Sequence, residues 1–171
     1  MNSAASRIQA NLQDLFKAQL APGNAYIRFQ LTTDMTAFLS MDRVQESLVV
    51  DTEKITPLPS MPESVIGMMS SRNRVFCVFD LAGVLTLPST LISPRQYQVI
   101  VLQTTDEQLY VGFAVNRLQG MVRLPAAKIQ SSLDGFSSSL AFYLDGAVLE
   151  AEMAIPVLDF NSILQSLTTV I

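Results

Sequence analysis

The sequence predicts an all-β chain made of two similar β subdomains, with a helix at each end. Three observations carry that prediction. Apolar residues fall at helical spacings only near the two termini, and alternate with a period of two in between. The alternating runs are short, rich in β-branched and aromatic residues, and separated by turn signals, the pattern of small barrels or a sandwich. Finally, the first half of the β region returns in the second at a nearly fixed offset.

Taken in order, residues 3–20 form the first helix. Ile8, Leu12, Leu15, Phe16 and Leu20 share one face, Ser3 or Ser6 caps the start, and Ala21-Pro22-Gly23-Asn24 stops it. The apolar face serves either packing on the domain or docking of a partner. Residues 1–24 are thus a helix with its linker, and 25–168 the β domain. The first strand follows residue 25, where Tyr26, Arg28, Gln30 and Thr32 alternate with Ile27, Phe29 and Leu31. Further strands are expected at 35–41, 44–50, 74–81, 96–104, 109–115, 118–124, 140–144 and 153–159. Pro57, Pro59 and Pro62 make an extended connection, after which a short helix is expected within 61–69. Residues 157–168 read as a strand end passing into a closing helix.

The repeat is specific. Asp42-Arg43-Val44-Gln45 returns as Asn116-Arg117-Leu118-Gln119, and Lys54-Ile55 as Lys128-Ile129, both 74 residues on. Val78-Phe79-Asp80-Leu81 with Val84-Leu85 returns 79 residues on as Val157-Leu158-Asp159-Phe160 with Ile163-Leu164. Each half alone has a marginal core, so the two must share an apolar seam, and the groove between them is a natural partner site.

Composition bounds the function. The chain has 171 residues, no His and one Cys, which removes imidazole acid–base chemistry, thiolate or imidazole zinc sites and internal disulfides. Eleven basic against 15 acidic residues give a net charge of −4, which argues against nucleic acid. Mean hydropathy is +0.33, yet no apolar run approaches the roughly 18–20 residues of a spanning helix, and no basic-then-apolar leader is present. A soluble, cytoplasmic binding protein without cofactor, and without membrane insertion, is expected.

Few residues invite chemistry. No phosphate-binding glycine motif is present. Glu150 and Glu152 would share a strand face as a carboxylate pair, but a solvated edge or turn is the better reading, and Asp106-Glu107 reads as a turn. Cys77, in an apolar strand without His, behaves as a small hydrophobe. Core filling is the better use for Met68-Met69, although an adaptable surface is the alternative. Arg72 stands apart, in a polar turn entering a strand, where a fixed Arg is either a solvated residue or a partner anchor.

In chain order, Tyr26-Ile27-Arg28-Phe29-Gln30-Leu31, Val44-Gln45-Glu46, Ile55-Thr56-Pro57-Leu58-Pro59 with Pro62, Val65-Ile66-Gly67, Phe79-Asp80-Leu81 and Val115-Asn116-Arg117-Leu118 with Val122, Leu124 and Ile129 resemble the motifs of CheW-like domains, the coupling modules of bacterial chemosensory arrays. The resemblance covers about residues 25–165. It implies two intertwined five-stranded SH3-like β-barrel subdomains and a non-catalytic adaptor. The implied partners are the regulatory domain of a CheA-type histidine kinase and the cytoplasmic tip of a methyl-accepting chemoreceptor. Arg72 carries over as the receptor-side contact, and Val44 and Glu46 as lining of the receptor groove. The family's turn, usually Asn-Leu-Arg-Gly, here reads Ser70-Ser71-Arg72-Asn73. Asn73 replaces the Gly as the non-Gly residue best suited to positive φ. This departure and the leading helix resemble PilI-type members of type IV pilus systems. Two other readings stay open: a competitor that binds kinase or receptor alone, and a small-ligand or catalytic β-barrel.

Overall fold

The computed structural model describes residues 23–91, 94–105 and 108–168, together with Ala4, Ser6 and Gln9, which are helical and exposed. The apolar side chains of the expected 3–20 helix and the Asp106-Glu107 turn lie outside the described residues. The elements are β1 (Asn24–Gln30), β2 (Thr36–Ser40), β3 (Val44–Asp51), β4 (Val65–Ser71), β5 (Arg74–Asp80), α1 (Leu81–Val84), β6 (Gln96–Gln103), β7 (Tyr110–Val115), β8 (Arg117–Leu124), β9 (Ile129–Gln130), α2 (Ser138–Ala141), β10 (Leu144–Glu150), β11 (Met153–Leu158) and α3 (Phe160–Thr168).

The strands form a six-stranded sheet, β8-β1-β2-β11-β10-β9, and a five-stranded sheet, β3-β6-β7-β5-β4. Each sheet takes its first hairpin from the other half of the chain. The β1–β2 hairpin sits between β8 and β11, and β6–β7 between β3 and β5. The insertions end in parallel pairs, Leu158 beside Leu39 and Phe79 beside Phe113, which are one pair seen at the two sequence offsets. Even the backbone bonds repeat, since Asp80 N donates to Ser64 O at 2.8 Å and Asp159 N to Tyr143 O at 2.7 Å. The repeat in the sequence is therefore a repeat in the fold.

The expected five strands per sheet hold for one sheet only. In the other, β9 pairs with β10 through Ala147–Gln130 and Val148–Ile129. The equivalent contact in the first half is a single bridge between Thr56 and Met68. Both approaches need glycine on the strand they meet. A Cβ on Gly146 would lie 2.5 Å from Gln130 O, and one on Gly67 2.3 Å from Thr56 O. The ladder stops after Thr56 because Pro57 has no N–H to continue it.

Two local expectations are corrected. Instead of a helix within 61–69 there is β4, whose two faces are both apolar and so show no alternation. Instead of a strand at 140–144 there is α2, because Ser137 Oγ accepts from Leu140 N at 3.3 Å and caps a turn of helix before β10 starts.

The largest core cluster lies between the sheets. Ile27, Phe29 and Leu39 from one sheet meet Ile100, Leu102 and Phe113 from the other. Phe113 also contacts Phe79 and Phe160 with ring centroids 6.5 and 6.0 Å apart, which ties α3 into the seam. A smaller core fills the inner face of each sheet, around Val78 and Val99 in one and Phe38 and Val157 in the other.

Candidate partner-binding site

The site begins with a two-residue turn. Ser71 and Arg74 close the β4–β5 hairpin, with Arg72 at φ 50° and Asn73 at φ 62°. Positive φ at both central residues is the turn whose twist matches a β-hairpin. Asn73 adopts the left-handed conformation the sequence assigns it, and is exposed. Arg72 has no such intrinsic preference, so its place depends on what its side chain meets.

It meets Glu46. Arg72 Nε lies 3.1 Å from Glu46 Oε2 as an ion pair without hydrogen-bond alignment, while Ser71 Oγ donates to Glu46 Oε1 at 3.1 Å. The Glu46 side chain is 8% exposed and that of Arg72 is 76% exposed. A sequestered carboxylate thus holds one edge of a guanidinium whose remainder faces solvent. Because β3 and β4 are the two outer strands of their sheet, the contact spans its open side.

Glu46 reaches this position through a bulge. The β3–β6 register passes from Val44–Leu102 to Glu46–Val101, leaving Gln45 as the extra residue. Leu102 belongs to the core between the sheets and Val101 to the core inside the five-stranded sheet. Val44 therefore packs toward the seam, and Glu46 turns to the same inner face as Leu48 and Val50. Residues two apart on a regular strand would share a face. Arg72, Asn73 and Glu46 are brought together, and Val44 is not.

Sequence reasoning missed Ser71, which supplies the hydroxyl that bonds the carboxylate, and Arg74, whose guanidinium stacks 4.3 Å over the Tyr110 ring. It also missed a counterpart in the other half. Arg28 Nη1 lies 2.9 Å from Glu150 Oε2, its Nε donates to Gln119 Oε1 at 3.2 Å, and Ala151 and Glu152 at φ 48° and 65° form the adjoining turn. Here Arg is on the strand and Glu at the hairpin, the reverse of Glu46 and Arg72. Glu152 lies in the turn, so Glu150 and Glu152 do not form a strand-face carboxylate pair.

Nothing near the hairpin is activated for chemistry. Burial pushes the Cys77 thiol up, and Cys77 Sγ donates to Met68 Sδ at 3.2 Å. Among the described residues no group of three His, Cys, Asp or Glu side chains could hold a metal, and no helix is long and apolar enough to cross a membrane.

The doubled, exchanged topology and this turn define a class of β scaffold that the comparisons identify. The CheW-like domain family matches residues 26–168, and the chain belongs to that family. It is 27% identical over 142 residues to the chemotaxis protein CheW of Thermotoga maritima, an alignment covering 83% of this chain and 88% of the relative. Its fold is similar to that of TtCheW, a scaffolding protein from Thermoanaerobacter tengcongensis, with a TM-score of 0.66 at 15% identity over 80% of this chain and 88% of the other. Membership places the chain among the chemotaxis scaffold proteins.

Proposed function

We propose that the protein is a cytoplasmic, non-catalytic adaptor that couples methyl-accepting chemoreceptors to a CheA-type histidine kinase, with Arg72 as the receptor contact. The observation that carries this reading is the Glu46–Arg72 pair, in which a nearly buried carboxylate fixes an exposed guanidinium on a rigid turn. A forked donor held in one orientation recognises a polar or acidic partner group at little entropic cost. Asn73 sets the turn, Ser71 and Glu46 set the direction of Arg72, and Val44 lines the seam side of the neighbouring surface. Each sheet, on this reading, curls into an SH3-like barrel, a view supported by the contact between the edge strands β3 and β4. The long leading segment and the Ser70-Ser71 turn support a pilus-linked array as the setting.

Coupling of this kind works by differential contact, so both partners must bind the same molecule. Pull-downs with a receptor tip and with the kinase regulatory domain test it. Capture of both together supports the bridge, whereas a chain that binds one and excludes the other is a competitor. Arg72→Gln is expected to weaken receptor-tip binding at least tenfold, about 1.4 kcal/mol, and to leave kinase binding unchanged. Equal loss on both sides would remove the assignment of Arg72 to the receptor.

A further inference from the structure

A groove of about 380 Å³ runs over the outer face of the five-stranded sheet, between β5, the β6–β7 turn and α3. Met68, Val75, Cys77, Leu109, Leu164 and Leu167 line it, and no charged side chain does. Val75 and Leu109 are 68% and 57% exposed. Four other clefts each have charged walls, carrying Arg28 and Glu150, Arg28 and Arg117, Asp42 and Asp159, or Lys128 and Glu150. This groove therefore suits an apolar occupant that brings no charge.

The chain carries such an occupant outside the described fold. Ile8, Leu12, Leu15, Phe16 and Leu20 make one apolar stripe, and an isolated helix of this length is marginal in water unless the stripe is buried. The geometry of the exit favours contact within one molecule. β1 packs on the turn Met41–Arg43, which leads into Val44 opposite Leu102, and Thr104, two residues past Leu102, is on the groove wall. The chain thus enters β1 on the side of the molecule where the groove opens. A helix over residues 3–20 would be about 27 Å long at 1.5 Å per residue, and residues 21–23 add about 10 Å of reach. Tethering also gives the segment an effective concentration of order millimolar.

We infer that residues 3–20 dock in cis as an amphipathic helix, with the Leu12–Phe16 stripe covering the Val75–Leu109–Leu164 groove. The chain supplies its own probe, because its single cysteine, Cys77, lies on the groove wall. In the full chain, alkylation of Cys77 is expected to be slow and independent of protein concentration. The double variant Leu12→Asp, Phe16→Asp and the groove variant Leu109→Asp should each react at least tenfold faster with an unchanged melting temperature. Phe16→Cys should form an intramolecular disulfide with Cys77 on mild oxidation, a readout that does not depend on stability. Equal alkylation rates in all variants with no cross-link would overturn the inference. So would protection that disappears on dilution, which would make the occupant a second copy.

Discussion

At the scale of single residues, Arg72 and Glu46 are unequal partners. The exposed guanidinium loses little water in the pair, so the pair contributes on the order of 0–1 kcal/mol to folding. Arg72→Gln should therefore leave the melting temperature nearly unchanged. Arg72→Glu is a different experiment, since it sets a second carboxylate beside the nearly buried one. A melting temperature several degrees below that of Arg72→Gln is expected, and a binding defect in Arg72→Glu alone would not assign a contact. Asp145 makes a pH-dependent contribution. Burial and then the neighbouring Asp159 hold its carboxyl above the usual carboxylate range. The native state thus keeps a proton over an interval where the unfolded chain has lost it, and the stability this provides is present in acid and lost as pH rises through the interval. Asp145→Asn should raise the melting temperature at pH 7 and leave it unchanged at about pH 3, below the unfolded value of 3.8. Melts of both proteins across that range check it, and an equal gain at both pH values would exclude the titration as the cause.

At the scale of elements, the two equivalent hairpins differ in how well their residues suit them. Asn73 occupies a left-handed position it tolerates, whereas Ala151 and Glu152 occupy two such positions without any preference for them. Replacing Ala151-Glu152 by Asn-Gly should stabilise the protein by about 1 kcal/mol, read as a rise of about 2–4 °C in melting temperature. No change would mean that the Arg28–Glu150 contact already offsets the turn strain. Gly146→Ala acts in the opposite direction, because its methyl would meet Gln130 O and force β9 away; a loss of about 1–3 kcal/mol is expected. The strands with one apolar face, such as β1 and β3, were legible from alternation. β4 was not, since Met68 on its outer face meets Cys77 while Met69 faces the inner core, leaving no period to read. The β3 bulge was equally silent. Gln45 does not differ in kind from its neighbours, so the parity change that separates Val44 from Glu46 has no local sequence mark.

At the scale of the molecule, the sequence repeat disclosed two halves but not their exchange of hairpins, because pairing between distant strands leaves no local periodicity. The exchange decides how the protein unfolds. Residues before β6 keep only the β1–β2 and β4–β5 pairs when separated from the rest; β3 loses β6, and β1–β2 lose β8 and β11. The second half is stripped in the same way. Most of the seam, including the Phe79–Phe113–Phe160 contacts, needs both halves. Fragments 1–90 and 91–171 should each be unfolded alone and should regain β structure only when mixed. In the intact chain the sheets should melt together. Phe38 lies in the core inside the six-stranded sheet, remote in the pairing order from β4 and β5. Phe38→Ala should cost about 3–5 kcal/mol, and in a single cooperative unit it should lower the global hydrogen-exchange protection of β5 and β7 by the same free energy as that of β10 and β11. Protection lost from one sheet alone, or two resolved melting transitions, would show that the halves fold independently, and a scaffold of that kind could not carry strain from one partner face to the other through the seam.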